Sequence, residues 1–226
     1  MFVKCFTKHI SCYNLLLKTY NPTYIYILKS ALIIFVRNPV EGQVKTRIGK
    51  EKGNAFALKM YTRLLQHTHN ITCDLPVDVF VFYADFLNDN DLWNGPPYYK
   101  HLQTGIDLGE RMLNAFAHVF ERSYSNVVII GSDCYELTSQ IIMQAFSQLQ
   151  SHDTVIGPSI DGGYYLIGMK QLLPSVFSNK LWSTATVARH TIADIELLSL
   201  SLYTLPVLSD VDTAFDCERY PDLYSH

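Results

Sequence analysis

Val127-Val128-Ile129-Ile130-Gly131-Ser132-Asp133 reads as a buried strand ending in a turn that carries a carboxylate. Four apolar β-branched residues run together, bounded by Ser123 to Asn126 on one side and Gly131-Ser132-Asp133 on the other. A continuous rather than alternating apolar run belongs to a strand covered on both faces, which is the habit of parallel sheets. In open α/β sheets, ligands bind outside the carboxyl ends of the strands. Asp133 therefore stands where a metal ion or a phosphate would lie, the plainer alternative being a turn or helix-cap aspartate.

Outward from this stretch the chain alternates strands and helices. Ala31–Val36 (ALIIFV) is a second continuous apolar run. A polar loop, 37–50, follows it. Asn54 is read as the cap of a helix to about His69 that turns Phe56, Met60 and Leu64 inward. Strands are expected over Val77–Tyr83 and Tyr98–Gln103, separated by a loop rich in Asn, Asp, Gly and Pro. Asp107 opens a helix to about Glu121, and Thr138 or Ser139 caps the next. Thr154–Ile156 and Tyr164–Met169 read as strands around a break at Gly157-Pro158, Thr184–Leu198 as a helix, and Leu202–Leu205 as extended. Such alternation implies a single α/β domain with a mostly parallel, mixed central sheet flanked by helices.

With 226 residues, 48% hydrophobic and 17% charged, one core of ordinary size is expected. A net charge of −3 gives no argument for a nucleic-acid partner. The five cysteines are scattered without a CxxC pair, against a disulfide framework or structural zinc and in favour of a reducing cytoplasm. Residues 1–27 read as a poorly ordered N-terminal extension and 28–226 as the domain. Apolar segments in the first thirty residues are interrupted by Lys18, Pro22 and Lys29, so no run there approaches the roughly 20 apolar residues that a membrane helix needs.

Four further segments carry candidate chemistry. The loop after the first strand holds Arg37, Lys45 and Arg47, with Pro39 and Gly42 shaping the turn. Guanidinium groups grip diphosphate oxygens bidentately, and a loop at a strand end supplies amides as well. Neither GxxxxGK[ST] nor GxGxxG is present, which disfavours a Walker loop and a nicotinamide fold. Gly105, Asp107 and Gly109 mark a strand-to-helix junction where backbone can approach an anion or a nucleobase. Asp161-Gly162-Gly163-Tyr164 reads as a hairpin turn or as an acceptor loop with Asp161 as base or hydroxyl ligand. Asp210 and Asp212, two apart on an extended segment, lean to one side. With Asp133 they make an oxygen set suited to Mg²⁺ or Mn²⁺, which takes one or two carboxylates plus substrate phosphates.

Taken together, FVRNPVEGQVKTRIGK (35–50), QTGIDLGERM (103–112), IIGSDCYELT (129–138), IGPSIDGGYYLIGM (156–169) and SDVDTAFD (209–216) make the chain resemble the radical-SAM/selenodomain-associated transferase family. These are small GT-A-like enzymes of the nucleotide-diphospho-sugar transferase type. The resemblance implies that Arg37, Gly42, Lys45 and Arg47 face a diphosphate and that Gly105, Asp107 and Gly109 lie near the base. It implies Asp133 and Asp212, less directly Asp210, as metal ligands. Asp161, Gly162, Gly163 and Tyr164 would border the acceptor. Tyr135 stands where the family usually has proline.

The expected activity is metal-dependent glycosyl transfer from a nucleotide-diphospho-sugar to a small-molecule acceptor, with Asp133, Asp161, Lys45 and Arg47 as catalytic groups. Guanylyltransferase-like nucleotidyl transfer with release of pyrophosphate uses the same parts. A catalytically idle nucleotide-sugar-binding protein is the third reading.

Overall fold

The computed structural model describes residues 29–223; the expected extension over 1–27 lies outside them. Seven strands form one mixed sheet in the order β3-β2-β1-β4-β6-β5-β7. They are β1 (Ser30–Val36), β2 (Asp78–Tyr83), β3 (Tyr98–Leu102), β4 (Asn126–Ile130), β5 (Thr154–Pro158), β6 (Tyr164–Met169) and β7 (Leu202–Thr204). Only β6 runs against the others, paired antiparallel with both β4 and β5. The chain steps outward from β1 to β2 and β3, then returns to lay β4 on the other side of β1. That reversal makes a crevice at the carboxyl ends of β1 and β4.

The continuous apolar runs are continuous because both faces of the sheet are covered. Along β1, Leu32, Ile34 and Val36 enter one core, while Ala31 and Ile33 enter the other. Val128 and Ile130 of β4 join the first core, Val127 and Ile129 the second. Helices α2 (Asn54–Thr72) and α4 (Ser139–Gln148) cover the first face, α3 (Leu108–Phe120) and α5 (Val187–Leu197) the second. In α2 the buried Ala57, Met60, Tyr61, Leu64, Leu65 and Thr68 recur at three- and four-residue spacing, as an amphipathic helix requires.

The structure departs from the sequence reading in four places. Part of the predicted loop 37–50 is helix α1 (Thr46–Lys52, TRIGKEK), which buries only Ile48 and so shows no apolar stripe. Asn54 is the first residue of α2 and not its cap; Gly53, at φ 91°, makes the join and no side chain caps the helix. The predicted break at Gly157-Pro158 is the bulged end of β5. A Cβ on Gly157 would stand 2.4 Å from the Tyr165 ring, so the glycine serves close packing. Helix α5 starts at Val187, leaving Thr184 to Thr186 in the preceding turn. The remaining elements are α6 (Ala214–Glu218) and two 3₁₀ turns, Pro174–Phe177 and Pro221–Leu223. Among the described residues no helix is long and apolar enough to cross a membrane.

At the β3 edge, His101 and His118 place their Nε2 atoms 3.2 Å apart over Phe80 and Phe82. Burial, then the neighbouring His118 and Arg122, push His101 down to about 4. An unfolded histidine takes up its proton near pH 6.5, whereas the native one resists until about pH 4. The unfolded state thus binds more protons in that window, and native stability should fall as pH drops through it. Urea unfolding at pH 7 and pH 5 checks this: His101→Gln should flatten the difference, and an unchanged pH slope would mean that the pair does not titrate this way.

Candidate active site

A cleft of about 770 Å³ opens at the carboxyl ends of β1 and β4, walled by the segments after β1, β3, β4 and β5 and by residues 210–212. At its floor Lys45 Nζ lies 3.1 Å from Asp133 Oδ2 and 2.7 Å from Asp212 Oδ1. One ammonium thus joins two carboxylates from segments 79 residues apart in the chain (212 − 133). The Lys45 side chain is only 8% exposed. Burial opposes its charge, but Asp133 and Asp212 more than offset that, and its pKa is raised. Burial likewise acts to raise Asp212, yet Lys45 and Arg47 hold it below the usual carboxylate value.

Backbone geometry delivers these groups. Lys45 precedes α1 in the left-handed region, φ 44° and ψ 48°, a conformation that costs a non-glycine residue roughly 1 kcal/mol or more. The Val211 N–H donates to the Asp133 carbonyl at 3.0 Å, locking 210–212 against the β4 turn. Glu136 accepts from the Ser209 N–H at 2.8 Å and from the Tyr220 hydroxyl at 2.7 Å, fixing the same segment from behind. Asp210 is half-buried, and one of its oxygens, Oδ1, is shielded from solvent without a hydrogen-bond partner. Burial, then the charges of Asp133, Asp161 and Asp212, push Asp210 up to about 8.

Of the other cations, Arg47 is 72% exposed, with Nη1 4.0 Å from Asp212 Oδ2. Arg37 lines the cleft through a loop tied down by Tyr61 of α2. The Tyr61 hydroxyl accepts from the Arg37 N–H at 2.8 Å and lies 3.1 Å from Ser132 Oγ, beside Asp133. Gly42, at φ 78°, shapes that loop from outside the cleft wall.

At the α3 junction, Asp107 lines the cleft and caps the helix by accepting from the Glu110 N–H at 2.8 Å. Gly105 and Gly109 lie behind the wall. A Cβ on Gly109 would come within 2.4 Å of the Trp182 indole, and one on Gly105, at φ 138°, within 2.8 Å of the Arg111 backbone nitrogen. Arg111 itself lines the cleft, its Nε donating to the Gly105 carbonyl at 3.2 Å. Gln103 donates its amide to the carbonyls of Val36 and Phe82, at 3.3 Å and 3.0 Å, so that its side-chain oxygen is the amide atom left for a ligand.

On the far side, 159–163 is the turn between antiparallel β5 and β6, as the hairpin reading expects, and Ser159, Asp161 and Gly163 of this turn line the cleft. Asp161 Oδ1 accepts from Ser159 Oγ at 2.6 Å and from the Gly163 N–H at 2.9 Å. Tyr164 lines the same wall. Gly162, at φ 88°, meets the Ala185 carbonyl so closely that a Cβ would stand 2.1 Å from its oxygen. Gly162→Ala should therefore cost roughly 2 kcal/mol or more, from backbone strain plus a clash with main chain that cannot rotate away. Urea unfolding reads this directly; a loss under about 0.5 kcal/mol would show that the turn shifts freely.

Tyr61, Gln103, Arg111 and Trp182 escaped the sequence reading as functional groups. A tyrosine on the inward face of α2 was the one available signal, because a buried hydroxyl needs a partner. Tyr135 does not line the cleft and packs tilted against His67 and edge-on to Tyr220, with ring centroids at 4.7 and 5.3 Å. Cys134 is buried with a raised pKa, caused first by desolvation, which suits a packing residue rather than a nucleophile.

Among the described residues no three histidine, cysteine, aspartate or glutamate side chains stand ready as a metal cage. The donor chemistry nonetheless fits a hard divalent ion. Asp210 Oδ1 lacks a partner, all three candidate ligands are oxygens, and Mg²⁺ draws much of its shell from water and substrate phosphate.

A family model described as "uncharacterized protein conserved in bacteria", DUF2064, matches residues 68–184. The chain belongs to this family. Its crystal relative from Desulfovibrio desulfuricans G20, provisionally designated a nucleotide-diphospho-sugar transferase, is 35% identical, with a TM-score of 0.78 over 83% of this chain and 84% of that one. The DUF2064 chain also shares its fold with 4-diphosphocytidyl-2C-methyl-D-erythritol synthase from Anaerococcus prevotii DSM 20548 (9% identity, TM-score 0.53, 84% and 93% covered). A cytidylyltransferase from Leptospira borgpetersenii serovar Hardjo-bovis strain JB197 is similar in fold (13% identity, TM-score 0.51, 84% of each chain covered). No curated protein matches the DUF2064 chain by sequence.

Proposed function

We propose that the protein is a glycosyltransferase that takes a nucleotide-diphospho-sugar donor and a small-molecule acceptor. The observation that carries this reading is the buried Lys45 ammonium set between Asp133 and Asp212, with Arg37, Arg47 and Arg111 along the same cleft. The relative's designation supports the donor class. The narrower kinship with radical-SAM-associated transferases rests on the five sequence blocks. A cytoplasmic setting rests on the scattered cysteines of the sequence, which include no CxxC pair.

In this mechanism the acceptor oxygen attacks the anomeric carbon, and the bond from that carbon to the diphosphate oxygen breaks with its electron pair. Lys45, Arg47 and Arg37 put positive charge where the leaving diphosphate gains negative charge, usually the largest contribution in such chemistry. Asp161, braced by Ser159, takes the acceptor's proton. Asp133 and Asp212, with Asp210, would hold Mg²⁺ or Mn²⁺, which when bound supplies Lewis-acid neutralisation of the diphosphate.

The test is a turnover screen of nucleotide sugars and nucleoside triphosphates with and without Mn²⁺. Metal-dependent release of nucleoside diphosphate from one sugar donor is expected. Pyrophosphate from a triphosphate would replace this reading with nucleotidyl transfer, and binding without turnover would make the protein a nucleotide-sugar binder.

A further inference from the structure

Two cations have a use for the same carboxylate oxygens in this cleft. Asp133 Oδ2 and Asp212 Oδ1 both face Lys45 Nζ, at 3.1 and 2.7 Å. They are also the hard oxygen donors that suit a divalent ion, and two positive charges so close together repel strongly. The Lys45 backbone is not placed to give way. Val44 before it is buried in the core, and α1 begins at Thr46 directly after it. The side chain can yield, because a lysine stem is flexible and Lys45 lines a cleft of about 770 Å³. Asp133 and Asp212, with side chains 40% and 41% exposed, are open to an ion arriving from water.

We propose that Lys45 is an internal counter-ion that exchanges with the metal. Its ammonium neutralises Asp133 and Asp212 in the metal-free protein, and leaves them for the diphosphate when a divalent ion binds. The exchange opposes metal binding to the free protein. It also couples metal to diphosphate, since the diphosphate gives the displaced ammonium a new partner on the wall that Arg37 and Arg47 line. This rests on the transferase reading and adds to it how the charge of that site is regulated.

The probe is Mn²⁺ alone, titrated into the full chain and followed by the electron paramagnetic resonance of the free ion. Lys45→Met should bind Mn²⁺ at least about tenfold more tightly than the parent, a coupling of ordinary size. A lysine that only supported the fold would leave that affinity unchanged or lower it on removal. Arg47→Met makes the same change of charge at a side chain that is 72% exposed and not set between the two carboxylates, so it should alter Mn²⁺ affinity less than about threefold. Combining Lys45→Met with Asp133→Asn should abolish the gain. A second measurement needs no variant: acetylation of Lys45 in the parent, read by peptide mass spectrometry, should quicken with saturating Mg²⁺ while that of Lys170 keeps its rate. Equal or weaker Mn²⁺ binding by Lys45→Met, an equal gain from Arg47→Met, a gain that survives loss of Asp133, or acetylation indifferent to Mg²⁺ overturns the proposal. Should the exchange hold while no sugar donor releases nucleoside diphosphate in the turnover screen, the transferase reading falls and the exchange stands.

Discussion

Lys45→Met should lower the transfer rate about 10²–10³-fold, the loss typical of removing one preorganised charge-stabilising donor. Methionine keeps much of the aliphatic stem and deletes only the ammonium that lies 3.1 Å from Asp133 and 2.7 Å from Asp212. Two carboxylates then face each other with Asp210 close behind, and no buried positive charge separates them. Breaking a fully buried pair costs about 3–5 kcal/mol in stability. Here Asp133 and Asp212 keep some contact with water, so the stability loss should be smaller than the kinetic one. Lys45→Gly is the informative companion, because it relieves the left-handed backbone at φ 44° yet also deletes the ammonium. It should unfold at higher urea than Lys45→Met and be equally inactive. Adding Arg47→Ala should weaken nucleoside diphosphates further while sparing the free nucleoside. A Lys45→Met enzyme within about threefold of the parent rate would mean that this charge does not act on the leaving group.

Asp133→Ala should abolish the part of nucleoside-diphosphate affinity that depends on Mn²⁺, a fall of at least about a hundredfold. The fold should persist, because Asp133 holds residues 210–212 through its main-chain carbonyl, which accepts from the Val211 N–H at 3.0 Å, and not through its side chain. Lys45 keeps Asp212 as a partner. Titration calorimetry with and without Mn²⁺, paired with urea unfolding, separates the two effects. Unchanged Mn²⁺-dependent affinity would remove Asp133 from the metal site and leave the Lys45 pairing as its role.

Most of the fold was readable before any coordinates because the sheet is buried on both sides. Runs such as ALIIFV and VVII must then be apolar at every position, and their helices must carry one apolar face. The orientation of β6 was readable only through the hairpin reading of Asp161-Gly162-Gly163, since Tyr164–Met169 by itself reads as a buried strand in either direction. Helix α1 escaped because its sequence is almost wholly polar and owes its place to Ile48 and to packing against α2. Within the site, Arg37, Lys45, Arg47, Asp107, Asp133, Asp161, Tyr164, Asp210 and Asp212 converge on one cleft. Gly42, Gly105, Gly109 and Gly162 do not line it, and serve by admitting turns or neighbours that a Cβ would block. That Lys45 reaches the carboxylates themselves follows from one residue's left-handed backbone, which no residue pattern announces. The same holds for Tyr61 and Gln103, whose importance depends on which carbonyls and amides the fold brings to them.

The two tryptophans of this chain have unequal positions. Trp93 is sealed in the core near His69, while Trp182 forms part of the cleft wall. Indole emission shifts with the polarity and quenching power of its surroundings, so the glow of Trp93 should stay constant as the cleft fills and that of Trp182 should change. The molecule therefore carries its own optical gauge of occupancy, with an internal standard, and Trp182→Phe would silence the gauge while leaving the standard lit.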